Sequence, residues 1–227
     1  MIGNPHNPKS LTPAFLSAVR DAVSDALNYR PETDHEHICV TLPLSFPEPI
    51  SLLRRAFDLK NADVPRTHRI ALEGASTGQE THADRNRTSP PLFYWEIPSR
   101  HEALLGFGSR RTLRSTGESR FTEIAHAANA LSARMLQVNL SDAEEEGIPL
   151  LTGGYSFGPF NVSPAWREFG AARFDVPILM LCKRPDGDLL RYVSAKGERD
   201  PKAVADGLAS AWAELMREVP SDTEQLE

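Results

Sequence analysis

Cysteine is almost missing from this chain of 227 residues, lysine is rare, and no apolar run is long. The two cysteines, Cys39 and Cys182, each sit in an apolar, strand-like run. There a reduced thiol packs as a small hydrophobe, so a disulfide framework is excluded and buried free thiols are expected. The longest apolar run, around Val176 to Cys182, is far too short to cross a bilayer, and the first residues lack the charged, apolar and small-residue succession of a signal peptide. No membrane contact and a cytoplasmic address are therefore expected. A formal net charge of -6, with both signs mixed along the chain, repels phosphates, so no nucleic-acid partner is expected. Internal repeats are absent too.

What is present is a 40% hydrophobic content, enough for a sizeable core, and residues 1–220 read as one domain. Thr12 as N-cap and Pro13 at the first helical position open a helix carrying Leu16, Val19, Val23, Ala26 and Leu27 at helical spacing, ending near Arg30. His37 to Pro43 reads as a strand, Leu52 to Phe57 as a short helix and Arg69 to Leu72 as another strand. Residues 74–89 hold almost nothing apolar and read as a mobile loop; 221–227 read as a disordered tail or an artificial boundary. Leu92 to Ile97 and Ala103 to Phe107 flank the turn-like Pro98-Ser99-Arg100 and predict an antiparallel hairpin.

Between Ser119 and Val138, Phe121, Ile124, Ala125, Ala128, Leu131, Met135 and Val138 recur at helical spacing and predict one helix with an apolar face. Strands follow at about 150–157 and 172–183. Pro185-Asp186-Gly187-Asp188 turns the chain into a strand over 189–195, and Asp200 caps a last helix over 201–218. Dominant hairpin signals with a few helices predict an α+β fold, a mainly antiparallel sheet with helices on one face.

Several local patterns suggest chemistry and are outweighed by plainer readings. Gly154-Tyr155-Ser156-Phe157-Gly158 matches the G-x-S-x-G elbow of hydrolases. That elbow needs a helix directly after the serine and a later histidine, yet prolines follow at 159 and 164 and all seven histidines precede Ser156. His35-x-His37 lacks a third metal ligand at a recognisable spacing and reads as a solvated strand entrance. The acidic run Asp142 to Glu146 reads as a solvated loop rather than a Mg²⁺ site. Arg110, Arg111 and Arg114 could attract a carboxylate, although arginine is abundant throughout. Gly153-Gly154 marks a bulge or a close backbone approach.

The run from Pro149 to Pro177, with Gly153, Gly154, Phe157, Trp166, Arg173, Phe174 and Pro177, resembles the signature segment of the chorismate-utilising enzymes, and of isochorismate synthases in particular. Phe93-Tyr94-Trp95-Glu96 followed by Ala103-Leu104-Leu105-Gly106-Phe107-Gly108 is similar to that family's early strand pair. The resemblance covers about 90–195, and it implies Trp95, Gly106 and the signature residues as structural markers. It also implies half of a layered sandwich whose other, carboxyl-terminal half carries most of the site.

In such enzymes a lysine activates water, a glutamate protonates the leaving hydroxyl and Mg²⁺ acts as Lewis acid. None of the five lysines, Lys9, Lys60, Lys183, Lys196 and Lys202, lies in the corresponding strand pattern. No catalytic, cofactor-binding or metal-binding residue is therefore assigned to this chain. The resemblance implies an inactive amino-terminal scaffold, with Mg²⁺ and chorismate bound only by a full-length parent in menaquinone or siderophore synthesis. The expected partner is the carboxyl-terminal half, with self-association in its place. The competing reading is a stand-alone α+β module that binds a small ligand or a protein without catalysis. Trp95 and Trp166 are expected as buried anchors of the core.

Overall fold

A computed structural model describes residues 11–30, 34–47, 52–53, 92–141, 149–158 and 169–216. The expected helix at 52–57 is described only at Leu52 and Leu53; the strand at 69–72, the loop at 74–89, the acidic run, Trp166 and the tail lie outside these residues. The described elements are α1 (Pro13–Tyr29), β1 (His37–Pro43), β2 (Leu92–Ile97), β3 (Glu102–Phe107), β4 (Arg111–Ser115), α2 (Arg120–Ala133), β5 (Met135–Asn139), β6 (Thr152–Tyr155), β7 (Ala172–Val176), β8 (Leu179–Lys183), β9 (Leu189–Val193) and α3 (Pro201–Met216). They form an α+β fold with two sheets, one of six strands ordered β2-β3-β8-β9-β1-β5 and one of three ordered β4-β7-β6. Every pairing is antiparallel except β1 with β5.

Local chemistry explains the helix ends. The Thr12 hydroxyl accepts the Phe15 N–H at 3.3 Å, satisfying one of the unpaired donors of the first turn, and Pro13 starts α1 with its φ already set. The Asp200 carboxylate does the same for Lys202 N–H at 3.0 Å ahead of α3. The two helices pack against each other and bury one face of the six-stranded sheet. Val19, Val23, Val204, Leu208, Trp212 and Leu215 meet Ile38, Val40, Leu105, Leu179, Leu181 and Leu190 in a single core. Strand residues alternate between faces, so Cys39, Leu104, Cys182 and Val193 face the opposite side.

Three expectations change. The helix expected to run to Val138 stops at Ala133, and Met135–Asn139 is a strand hydrogen-bonded to β1. The single strand expected over 172–183 is two, broken at Pro177, and its halves belong to different sheets. Helices are also not confined to one layer: α2 packs on the three-stranded sheet through Ile124, beside Leu113 and Ala172.

The chain changes sheets at two adjacent places. Between β3 and β4, Gly108 turns with φ +70°, and a Cβ there would lie 2.6 Å from Ile178 Cδ1. Between β7 and β8, Pro177 and Ile178 make the return. The crossings are stitched together by Arg110 N–H to Val176 O at 2.7 Å and Ile178 N–H to Phe107 O at 3.0 Å. Gly106 belongs to the same joint, since a Cβ on it would sit 3.1 Å from Pro177 Cγ. Two markers distant in sequence are thus one packing contact.

Candidate functional site

The polar groups with the densest contacts lie along the seam between the two sheets. Glu36, just before β1, holds Arg134 at 2.7 Å, Arg111 at 3.0 Å and Lys196 at 3.9 Å. These cations come from the α2–β5 junction, from β4 and from the segment after β9, so one carboxylate ties three parts of the fold. The hydrogen bond from Arg134 is the main reason that its pKa lies below the usual glutamate value, with Lys196 and Arg111 adding to it against the opposing effect of burial.

His37, next in line, is buried, and its Nδ1 faces the Ser194 carbonyl oxygen at 2.9 Å, which fixes the N–H on Nδ1 in the neutral ring. Burial lowers its pKa most; Arg110 and Arg111 push the same way, while the Ser194 carbonyl and Glu36 oppose them. His35 is buried as well, with neither ring nitrogen hydrogen-bonded, and its pKa is lowered chiefly by burial and then by Arg199 and Arg30. The strand entrance expected to be solvated is therefore an interior one. The His37 ring is met there by the Ser194 carbonyl, and Glu36 between the two histidines by Arg134, Arg111 and Lys196.

Arg110 lies between the sheets. Its Nε donates to Val193 O at 2.7 Å and one terminal nitrogen donates to the Tyr192 hydroxyl at 3.3 Å. On the three-stranded sheet, Asp175 accepts from Ser109 Oγ at 3.0 Å, from Arg173 Nε at 3.0 Å and from Thr112 Oγ1. The arginine cluster noted in sequence thus separates. Arg110 faces backbone and a phenol, and Arg111 faces a glutamate; neither converges with the other on an open pocket.

The signature residues divide between joint and surface. Gly153, on the edge strand β6, lies so close to β7 that a Cβ would stand 2.1 Å from Arg173 O and 2.7 Å from Phe174 Cα, so the strand passes there only without a side chain. Tyr155 stacks between Phe121 and Phe174, with centroids 4.4 Å and 4.9 Å away, and Arg120 lies 4.3 Å above the Phe121 ring. Phe157 is fully exposed and Trp95 is 45% exposed. The expectation that Trp95 anchors the core is corrected: it stands on the β2 face opposite the helices, where its cross-strand neighbour Leu104 is itself only partly covered. Among the described residues the buried tryptophan is Trp212, unremarked as an anchor, at 1% exposure.

Ser156 of the G-x-S-x-G match donates to the carbonyls of Gly158 and Ala171. The single hydroxyl proton thus points at backbone carbonyls, with Gly158 O the nearer, and no described histidine is its partner. Among the described residues no three His, Cys, Asp or Glu side chains come close enough together to hold a metal ion. No described helix is long and apolar enough to cross a membrane.

Comparison with known proteins agrees with the signature. Residues 72–227 match the family described as chorismate binding enzyme. Among solved structures the chain is similar to MenF, the menaquinone-specific isochorismate synthase from Escherichia coli, at 11% identity and a TM-score of 0.38 over 89% of this chain. It spans 36% of the length of that protein. No curated protein sequence matches. With more than half of its length matched to one family model, the chain belongs to the chorismate binding enzymes.

Proposed function

We propose that this chain is the amino-terminal scaffold of a chorismate-utilising enzyme of the isochorismate synthase type, serving menaquinone or siderophore synthesis, and that a carboxyl-terminal half supplies the chemistry. In this reading residues 1–220 form one non-catalytic domain, which presents its sheets to that half. Chorismate and Mg²⁺ bind only when both halves are present.

One observation carries the non-catalytic part. Activation of water needs a lysine amine that can be unprotonated near neutral pH. Each described lysine instead stands beside a carboxylate: Lys183 with Asp188 at 3.5 Å, Lys196 with Glu36 at 3.9 Å, and Lys202 with Asp206. For Lys202 the bond to Asp206 moves the pKa upward, away from what a base requires. Family membership supports the substrate class, and the run from Gly153 to Pro177 supports the isochorismate synthase assignment by its likeness to that segment.

The purified chain, incubated with chorismate and Mg²⁺ and analysed by chromatography, is expected to form no isochorismate. Turnover abolished by a chelator would overturn the reading. Reading the encoding frame past Glu227 for a lysine-bearing strand followed by helix-borne glutamates tests the two-half arrangement directly. The isolated chain is also expected to self-associate through surface that the other half would cover, so that light scattering over a dilution series shows a rising mass. A strictly monomeric chain would refute that severed interface.

A further inference from the structure

On the face of the six-stranded sheet turned away from α1 and α3, the hairpin end of β2, β3 and β8 forms a groove of about 420 Å³. Its floor follows from register. Trp95 pairs across to Leu104, and Leu104 to Cys182, so an indole, an isobutyl group and a thiol line up over three neighbouring strands. The walls are the first residue of β3, Glu102, and the β8–β9 turn, which brings Arg184 and Asp186 to the rim. Arg184 Nε donates to Cys182 Sγ at 3.2 Å, which lays the arginine stem along the floor.

Two carboxylates, Glu102 at the start of β3 and Asp186 in the β8–β9 turn, line the same groove. The Cys182 thiol has its pKa raised first by burial, and Glu102 and Asp186 both act on it in the same direction, against Arg184. Carboxylates from two separate elements thus line a groove with an apolar floor, beside a tryptophan that is nearly half exposed. The charged side chains of the lining are two anions and one cation, a net charge of -1. That field repels a free carboxylate and attracts a cation.

A bare metal ion is a poor match, because the floor offers hydrocarbon and a protonated thiol rather than a shell of oxygens. An ammonium group on an apolar body matches the chemistry of each part: carboxylates and an indole attract the charge, and Leu104 and Cys182 offer apolar surface to the body. We propose that this groove binds a small organic cation, an ammonium group carried on an aromatic or aliphatic body. Its ligand has the opposite charge to chorismate and the test involves no turnover, so failure here is distinguishable from failure of the chorismate reading.

The probe is phenethylamine, with phenylacetate as the control of like body and opposite charge, titrated into the full chain by calorimetry and by ¹H–¹⁵N spectra. The Trp95 indole cross-peak is identified by its loss in Trp95→Phe. Phenethylamine is expected to shift that peak saturably and more weakly as salt is added, while phenylacetate leaves it in place. Trp95→Leu should weaken binding about threefold to fivefold, as one exposed cation–aromatic contact implies. Glu102→Gln with Asp186→Asn should weaken it about tenfold and remove most of the salt dependence. Both changes fall outside the main core, so the rest of the spectrum should be retained. Equal binding of phenylacetate, no saturable shift of the Trp95 peak, or wild-type affinity in the doubly neutralised variant would overturn the proposal. If that variant fails to fold, an affinity of the wild-type chain that ignores salt overturns it equally.

Discussion

The six-stranded sheet and the three-stranded sheet solve the same problem of covering a β-surface in different ways. The larger one buries a face under α1 and α3 through a continuous apolar cluster that includes Trp212, Leu52, Leu42 and Phe107. The smaller one has a core of Leu113, Ile124 and Ala172, and leaves Phe121, Tyr155 and Phe157 open to water. Much of the family signature lies on the smaller, poorly covered sheet. The main stabilising core and much of the family signature thus occupy different parts of the molecule.

The largest test of that comparison is a pair of tryptophans. Trp212 fills the main core at 1% exposure, so Trp212→Ala is expected to cost about 3 to 5 kcal/mol, the usual range for emptying a large aromatic site. Its Nε1–H is buried without an acceptor, so Trp212→Phe removes an unsatisfied donor with the volume and should cost distinctly less. Trp95, half open, should cost below about 1 kcal/mol on truncation to alanine. Urea denaturation of the three variants checks the order. Similar losses for Trp212→Ala and Trp95→Ala would erase the distinction between the two surfaces.

Next in size is Gly153→Ala. A methyl group here meets backbone, Arg173 O and Phe174 Cα, which cannot rotate aside, so β6 must move away from β7. The expected loss is about 2 to 3 kcal/mol, the scale of an overpacked site, and it should be local. Amide exchange should quicken over Thr152–Tyr155 and β7 while β1, β8 and β9 keep their protection. Uniform acceleration across both sheets would show that the smaller sheet is integral to the main core.

Which parts of this arrangement a sequence can reveal depends on the reach of the cause. α1, the β2–β3 hairpin, the turn into β9 and α3 are set by caps, prolines and short-range periodicity, and each appears where its local pattern puts it. The end of α2 misleads because Leu131, Met135 and Val138 continue a helical spacing while Met135, Leu136 and Val138 also satisfy a buried strand beside β1. Only the tertiary partner decides between the two. Trp95 looks like a core residue from its apolar strand, and its exposure depends on which layer covers that face. The Glu36 hub draws on Arg111, Arg134 and Lys196, 75, 98 and 160 positions away, and no local pattern marks it. The groove at Trp95 is equally silent, since its carboxylates come from a strand start and a turn joined only by register.

The smallest expected effect concerns pH at the seam. His37 and His35 both have pKa values held below 6.5, chiefly by burial, so the folded chain binds fewer protons at these rings than the unfolded chain does. Stability from the neutral rings is then complete above about pH 6.5 and is lost as the pH falls toward the folded-state values. Glu36, depressed below 4.5, adds a second loss at lower pH, when its unfolded counterpart takes up protons and the native hub resists. The urea midpoint should hold level from pH 8 to about pH 7 and then fall as the pH drops below about 6.5, with a further drop below about pH 4.5. Because the seam joins the two sheets, opening should start there, with His37 and β4 losing protection before α3. Replacing His37 by Gln removes its titration and the Nδ1 contact with Ser194 O, so the variant should be weaker at pH 8 and flatter between pH 7 and 5. Direct NMR titration of the two ring C2 protons decides the sign: a His37 that titrates above 6.5 would mean that Glu36 outweighs burial, and the seam would then tighten on acidification.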